Sequence, residues 1–127
     1  MNEFENNAYF WQKVETLLSS GDLKITNKRN TPHPKYPNLF YPVDFGVVKT
    51  LDSEDTDIEV YKGENGKTVT AIVVCADILT KRFEVKVLIG LNHEEEENVL
   101  RFLNNTEFQK TVILRKGSNI PSWAVSE

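Results

Sequence analysis

The sequence predicts an α+β domain, mainly β: a small twisted sheet or partly closed barrel flanked by an N-terminal and a C-terminal helix. Three observations predict it. An apolar period of helical spacing opens the chain, several short β-branched runs follow, and a helix-start signal comes after the last of them.

Residues 4–19 read as an amphipathic helix, with Phe10, Val14 and Leu17 on one stripe widened by Trp11 and Leu18. Ser19, Ser20 and Gly21 end it, and Gly21 suits a left-handed cap. A short strand is expected at Leu23–Thr26. Residues 27–43 hold Pro32, Pro34, Pro37 and Pro42 and read as an ordered loop, because Tyr36, Phe40 and Tyr41 give it something to bury. A second short strand covers Phe45–Val48. Ile58–Gly63 and Lys67–Leu79 read as a hairpin around Asn65-Gly66, a dipeptide that favours tight reversal. The β-branched run of the second strand makes it central. Thr80–Arg82 turns the chain into Phe83–Leu91, where Phe83, Val85, Val87 and Ile89 form the core face and Glu84 and Lys86 share the other. Asn92 caps a second helix and Glu95 completes a capping box. The HEEEE run suits the positive end of that helix dipole, which explains the glutamates without chemistry. Val99, Phe102 and Leu103 dock the helix. Residues 107–127 add a short helix or strand near Val112–Leu114, and Pro121 to Trp123 read as a loosely packed terminus.

At 127 residues the chain fits one domain, 1–127. A net charge of −4 gives no basic footprint for nucleic acid. No apolar run reaches bilayer length, and the N-terminus lacks the pattern of a secretory signal. Cys75 is the only cysteine and reads as a small buried thiol. A cytoplasmic location is expected.

The densest chemistry lies in the six carboxylates between positions 44 and 59: Asp44, Asp52, Glu54, Asp55, Asp57 and Glu59. Such a run is either solvated or neutralised by a hard divalent cation that takes carboxylate oxygen. An EF-hand is excluded, because Val60 and Gly66 stand where the loop starting at Asp55 needs glycine and glutamate. Gly63–Thr68 is no phosphate loop, since its glycines are too close. His33 and His93 have no partner at zinc spacing; His33 reads as a loop hydrogen-bonder and His93 as a helix-start residue. In an extended segment Asp55, Asp57 and Glu59 share a face, and Glu84 and Lys86 share another, with Lys35 in the proline-rich loop. Carboxylates for metals beside lysines for phosphate oxygens are the parts of metal-assisted phosphoryl hydrolysis.

His33-Pro-Lys-Tyr-Pro, Phe40-Tyr-Pro-Val-Asp-Phe-Gly46, Thr50-Leu51, the acidic cluster and Ile58-Glu-Val60 together resemble the soluble, magnesium-dependent family I inorganic pyrophosphatases, in particular a short bacterial branch. The resemblance runs from about Ile25 to Lys86. It implies a five-stranded, OB-like antiparallel barrel with flanking helices. It implies Mg²⁺, with Mn²⁺ as the alternative, and pyrophosphate or another small phosphorylated substrate. The metal ligands it implies are Glu54, Asp55, Asp57, Glu59 and Glu84; Lys35, Lys86 and Tyr41 would bind phosphate, and Glu54, Glu59 and Lys35 would carry catalysis. Two registers stay open. Anchoring on Ile58-Glu-Val60 sets Glu54, Thr56 and Glu59 on the family's three metal-binding aspartates. Anchoring on Asp55-Thr-Asp57 recovers two aspartates with a one-residue deletion. Asp44 and Phe45 stand where the family has asparagine and tyrosine. These departures support an alternative, a catalytically inactive homologue that binds a ligand or protein. Homo-oligomers are compatible with either; membrane and nucleic-acid partners are not expected.

Overall fold

The computed structural model describes residues 6–50 and 57–116. Among the described residues the architecture is α+β and mainly β: a six-stranded mixed sheet with one helix on each face. Helix α1 spans Ala8–Ser19; strands β1 to β5 span Gly21–Asn27, Asp44–Thr50, Ile58–Lys62, Val69–Asp77 and Arg82–Ile89; α2 spans His93–Leu103 and β6 Gln109–Arg115.

The sheet order is β1-β2-β3-β5-β4-β6. Both β1 and β6 are edges, so the sheet is open and six-stranded where the resemblance implied a five-stranded, OB-like antiparallel barrel. The sixth strand comes from the tail, where only a short element near Val112 was foreseen. The order also overturns the expected hairpin. β3 does not pair with β4; it pairs with β5 in parallel, Glu59 opposite Lys86, and β4 takes the far side of β5. Loop length explains this. Six residues, 63–68, separate β3 from β4, enough to step across one strand, about 10 Å at the usual spacing. The loop wraps the end of β5, where Gly63 N donates to Ile89 O (2.8 Å) and Asn65 N to Gly90 O (3.0 Å). The true hairpin is β4–β5, closed by Asp77, whose carboxylate accepts from Leu79 N and Thr80 N.

Helix α1 starts after Asn7, whose side chain accepts from Phe10 N, so it is shorter than expected. Ser20 is its C-cap, with right-handed geometry, and Gly21 already belongs to β1. What Gly21 supplies is space: a Cβ there would meet Lys49 O of the paired strand at 2.5 Å. Trp11, Val14 and Leu18 of α1 pack on Val48, Val60, Val69, Ile72, Val87 and Ile89. Glu15 clasps the helix to the sheet by accepting from Val69 N (2.8 Å) and Lys116 Nζ (3.3 Å).

Helix α2 starts at its predicted capping box, Asn92 with Glu95. Its Val99, Phe102 and Leu103 cover the other face with Tyr41, Val43, Tyr61, Val73, Cys75 and Leu88. The face of β5 assigned to the core is therefore only half covered. Val87 and Ile89 are buried under α1, but Phe83 is 81% exposed and Val85 55%. The opposite face, with Leu88 and Lys86 buried, carries the larger core.

Candidate functional site

The parallel β3–β5 ladder places Glu59 directly beside Lys86, and strand alternation puts Glu84 on the same face. Lys86 Nζ donates to Glu59 Oε1 and to Glu84 Oε1, the latter at 3.1 Å. Arg82, one alternation further out, approaches Glu84 at 3.5 Å. The Lys86 side chain is 8% exposed, against 28% for Glu84 and 38% for Glu59. Burial pulls the Lys86 pKa down, but the hydrogen bonds and charges of Glu59 and Glu84 outweigh it and hold the ammonium above the usual lysine range. Lys86 is thus a fixed positive charge at neutral pH.

Lys86 and Glu84 lie at the floor of a cleft of about 270 Å³, and Glu59, which is not among its lining residues, accepts from Lys86 beside it. The proline-rich loop forms one wall and is ordered, as expected. His33 N donates to Leu39 O (2.7 Å), Tyr41 N to Thr31 O (3.0 Å), and Asn30 N to Tyr41 O (2.9 Å). Asp44 holds the loop's start by accepting from Arg29 N. These bonds present His33, Lys35 and Tyr36 to the cleft. His33 Nδ1 accepts from Lys35 N, and burial, then the nearby Lys35 charge, lower its pKa and favour neutral imidazole. Behind it lies an aromatic stack: His33 on Tyr41, Tyr41 on Phe45, and Phe102 against Tyr41 and Tyr61. The β4–β5 turn supplies Asp77, Leu79 and Thr80 to a second wall, and the α2–β6 connection supplies Asn105 and Phe108.

The structure brings together four of the sequence-predicted residues: Glu84 and Lys86 on the floor, Glu59 bonded to Lys86 beside it, and Lys35 on the wall. Tyr41 is buried within the aromatic stack and is not among the cleft-lining residues. Asp57 precedes β3 and lines a different groove, under α1 with Phe10, Lys13 and Val85. Glu54 and Asp55 lie outside the described residues. Among the described residues no three His, Cys, Asp or Glu side chains come together as a metal site. The two carboxylates that do converge, Glu59 and Glu84, are oxygen donors of the kind hard cations take, and both already meet Lys86.

Arg82 is a cleft residue that sequence reasoning left without a role, while His33 is the loop hydrogen-bonder it was read as. Arg82 was within reach of it: the alternation that joins Glu84 to Lys86 also adds position 82. Asp77 sits two residues before Leu79, the spacing at which an aspartate closes its own turn.

No protein family, curated protein or solved structure matches the chain.

Proposed function

We propose that the chain is a divergent relative of the family I inorganic pyrophosphatases, a divalent-metal-dependent hydrolase of pyrophosphate or a related phosphoanhydride. The observation that carries this is the buried, doubly paired Lys86 at the floor of a cleft whose walls add Lys35 and Arg82. A site for a polyanion needs fixed positive charge that does not reorganise on binding; Lys86 is such a charge, and a bound cation would offset Glu59 and Glu84, which otherwise leave the triad net negative.

The residues present fit a hard cation in part. Glu59 and Glu84 would hold it; Glu54 and Asp55, named as ligands from the sequence, lie outside the described residues. Mg²⁺, or Mn²⁺ in its place, supplies charge neutralisation for the substrate and activation of the attacking water. The chain's own residues do the rest. Lys86 meets charge growing on the leaving phosphate. Lys35 and Arg82, which are exposed, bind outer oxygens. Tyr61 and Phe102 back the floor with apolar surface and limit water access.

A second reading, a homologue that binds a phosphorylated ligand or a protein without turnover, is favoured by one observation: Lys86 already engages both carboxylates, so a cation must share them. Phosphate release from pyrophosphate, measured with Mg²⁺ and with Mn²⁺, separates the two. The hydrolase reading expects turnover that Glu59→Ala abolishes and Glu94→Ala, an exposed change in the first turn of α2, leaves intact. Folded protein that binds pyrophosphate with no turnover supports the second reading; loss of neither binding nor turnover in Glu59→Ala removes the site assignment.

A further inference from the structure

The cleft is only partly suited to a bare inorganic anion. Beside its charged floor stand Tyr36, Leu79 and Phe108, exposed by 42%, 62% and 44%. Tyr36 comes from the proline-rich loop and Phe108 from the connection before β6, so two separate segments each aim an aromatic ring at the same space. Apolar surface gives pyrophosphate nothing, since placing an anion against it costs hydration without a compensating contact. It benefits only a ligand with an apolar body. Asn105, on the same wall, carries an exposed amide with no hydrogen-bond partner among the described residues. A side-chain amide offers one acceptor and two donors. Rings for stacking, an amide for a polar edge, and cations a short way below are the recognition parts of a nucleotide.

We infer that the cleft takes a phosphoanhydride joined to a planar, heteroaromatic body, the nucleoside diphosphate class, with the base against Tyr36 and Phe108 and the diphosphate toward Lys35, Arg82 and Lys86. This rests on the phosphoanhydride reading above and narrows its substrate. The volume of about 270 Å³ lies just below the range common for organic-ligand sites, about 300–1,000 Å³, so the base occupies the mouth and the diphosphate the floor. In hydrolysis a water oxygen attacks the terminal phosphorus. The P–O bond to the bridging oxygen breaks, the nucleoside monophosphate leaves with that oxygen, and the water's proton passes to solvent.

The test compares ADP with pyrophosphate, each with Mg²⁺, by titration calorimetry and by phosphate release. Wild type, Tyr36→Ala, Phe108→Ala and Glu59→Ala are measured. ADP is expected to bind at least tenfold more tightly than pyrophosphate. Each aromatic change is expected to weaken ADP by about tenfold, the usual scale for one stacked base, and to leave pyrophosphate unchanged. If pyrophosphate binds as well as ADP, or the aromatic variants hold ADP unchanged, the nucleotide inference fails while the phosphoanhydride site stands. If folded wild type binds neither ligand, both fall.

Discussion

Replacing Lys86 by methionine keeps the unbranched stem, one atom shorter, and removes the charge. In the structure that leaves Glu59 and Glu84 converging on an apolar tip. Breaking a fully buried ion pair by removing one partner costs about 3–5 kcal/mol. Here the carboxylates are 38% and 28% exposed and regain water, which lowers the expected cost to roughly 2–3 kcal/mol. For a chain of 127 residues the unfolding entropy makes 1 kcal/mol worth about 4 °C in Tm, so Tm should fall by roughly 8–12 °C. Adding Glu59→Gln and Glu84→Gln to Lys86→Met should recover more than half of the loss, because the orphaned charges are gone. The pH dependence has a defined sign. The folded-state pKa of Lys86 is raised, so its contribution is complete below the unfolded lysine value of about 10.4 and is lost as pH rises through the higher folded value. The gap between wild type and Lys86→Met should therefore be constant near neutrality and, on the alkaline side, narrow above about pH 10.4. Urea denaturation followed by circular dichroism checks each point. A cost below 1 kcal/mol, or no recovery in the triple variant, would refute the electrostatic account of the floor.

Three further outcomes follow from the packing. Gly46→Ala puts a Cβ into the Lys24 carbonyl oxygen of the paired β1 strand; backbone cannot yield cheaply, and a loss of about 1–3 kcal/mol in urea is expected. Glu96 reads as dispensable from sequence, yet it is buried and accepts from Arg115 Nε at 2.7 Å. Glu96→Ala should cost about 1–3 kcal/mol, while Glu94→Ala should stay within about 0.5 kcal/mol; equal effects would show that the Arg115 contact contributes nothing. Cys75 is buried against Thr111 Oγ1, and burial pushes its thiol pKa up. Its alkylation by iodoacetamide at neutral pH should follow global unfolding, and rapid labelling of the native protein would contradict this placement.

What the sequence made legible was local. The cap of α2 is written in Asn92 and Glu95, neighbours that bond each other whatever surrounds them. The shared face of Glu84 and Lys86 follows from strand geometry alone. Partner choice was not legible. Asn65-Gly66 signals a reversal but not which strand receives the returning chain, and a six-residue loop allows β5 to stand between β3 and β4. The meeting of Glu59 with Lys86 depends on that non-local choice, so the site's central contact could not be derived from spacing. The tail strand was foreseen only as a short helix or strand near Val112–Leu114 for a related reason. Val112 and Leu114 alternate, yet their pairing with Val74 and Ile72 joins residues far apart in the chain.

The parallel ladder between β3 and β5 is also a seam. On one side lie β1, β2 and β3, contiguous in sequence and joined by antiparallel neighbours; on the other lie β5, β4 and β6, equally local. Each half sends its helix across to the other: α1 packs on Ile72 and Val87, and α2 on Tyr41, Val43 and Tyr61. Glu59 belongs to the first half and Lys86 to the second. Neither half owns the Glu59–Lys86 contact, which comes into being only when the two are zipped together. The chemistry of the cleft is therefore a built-in report that assembly is complete.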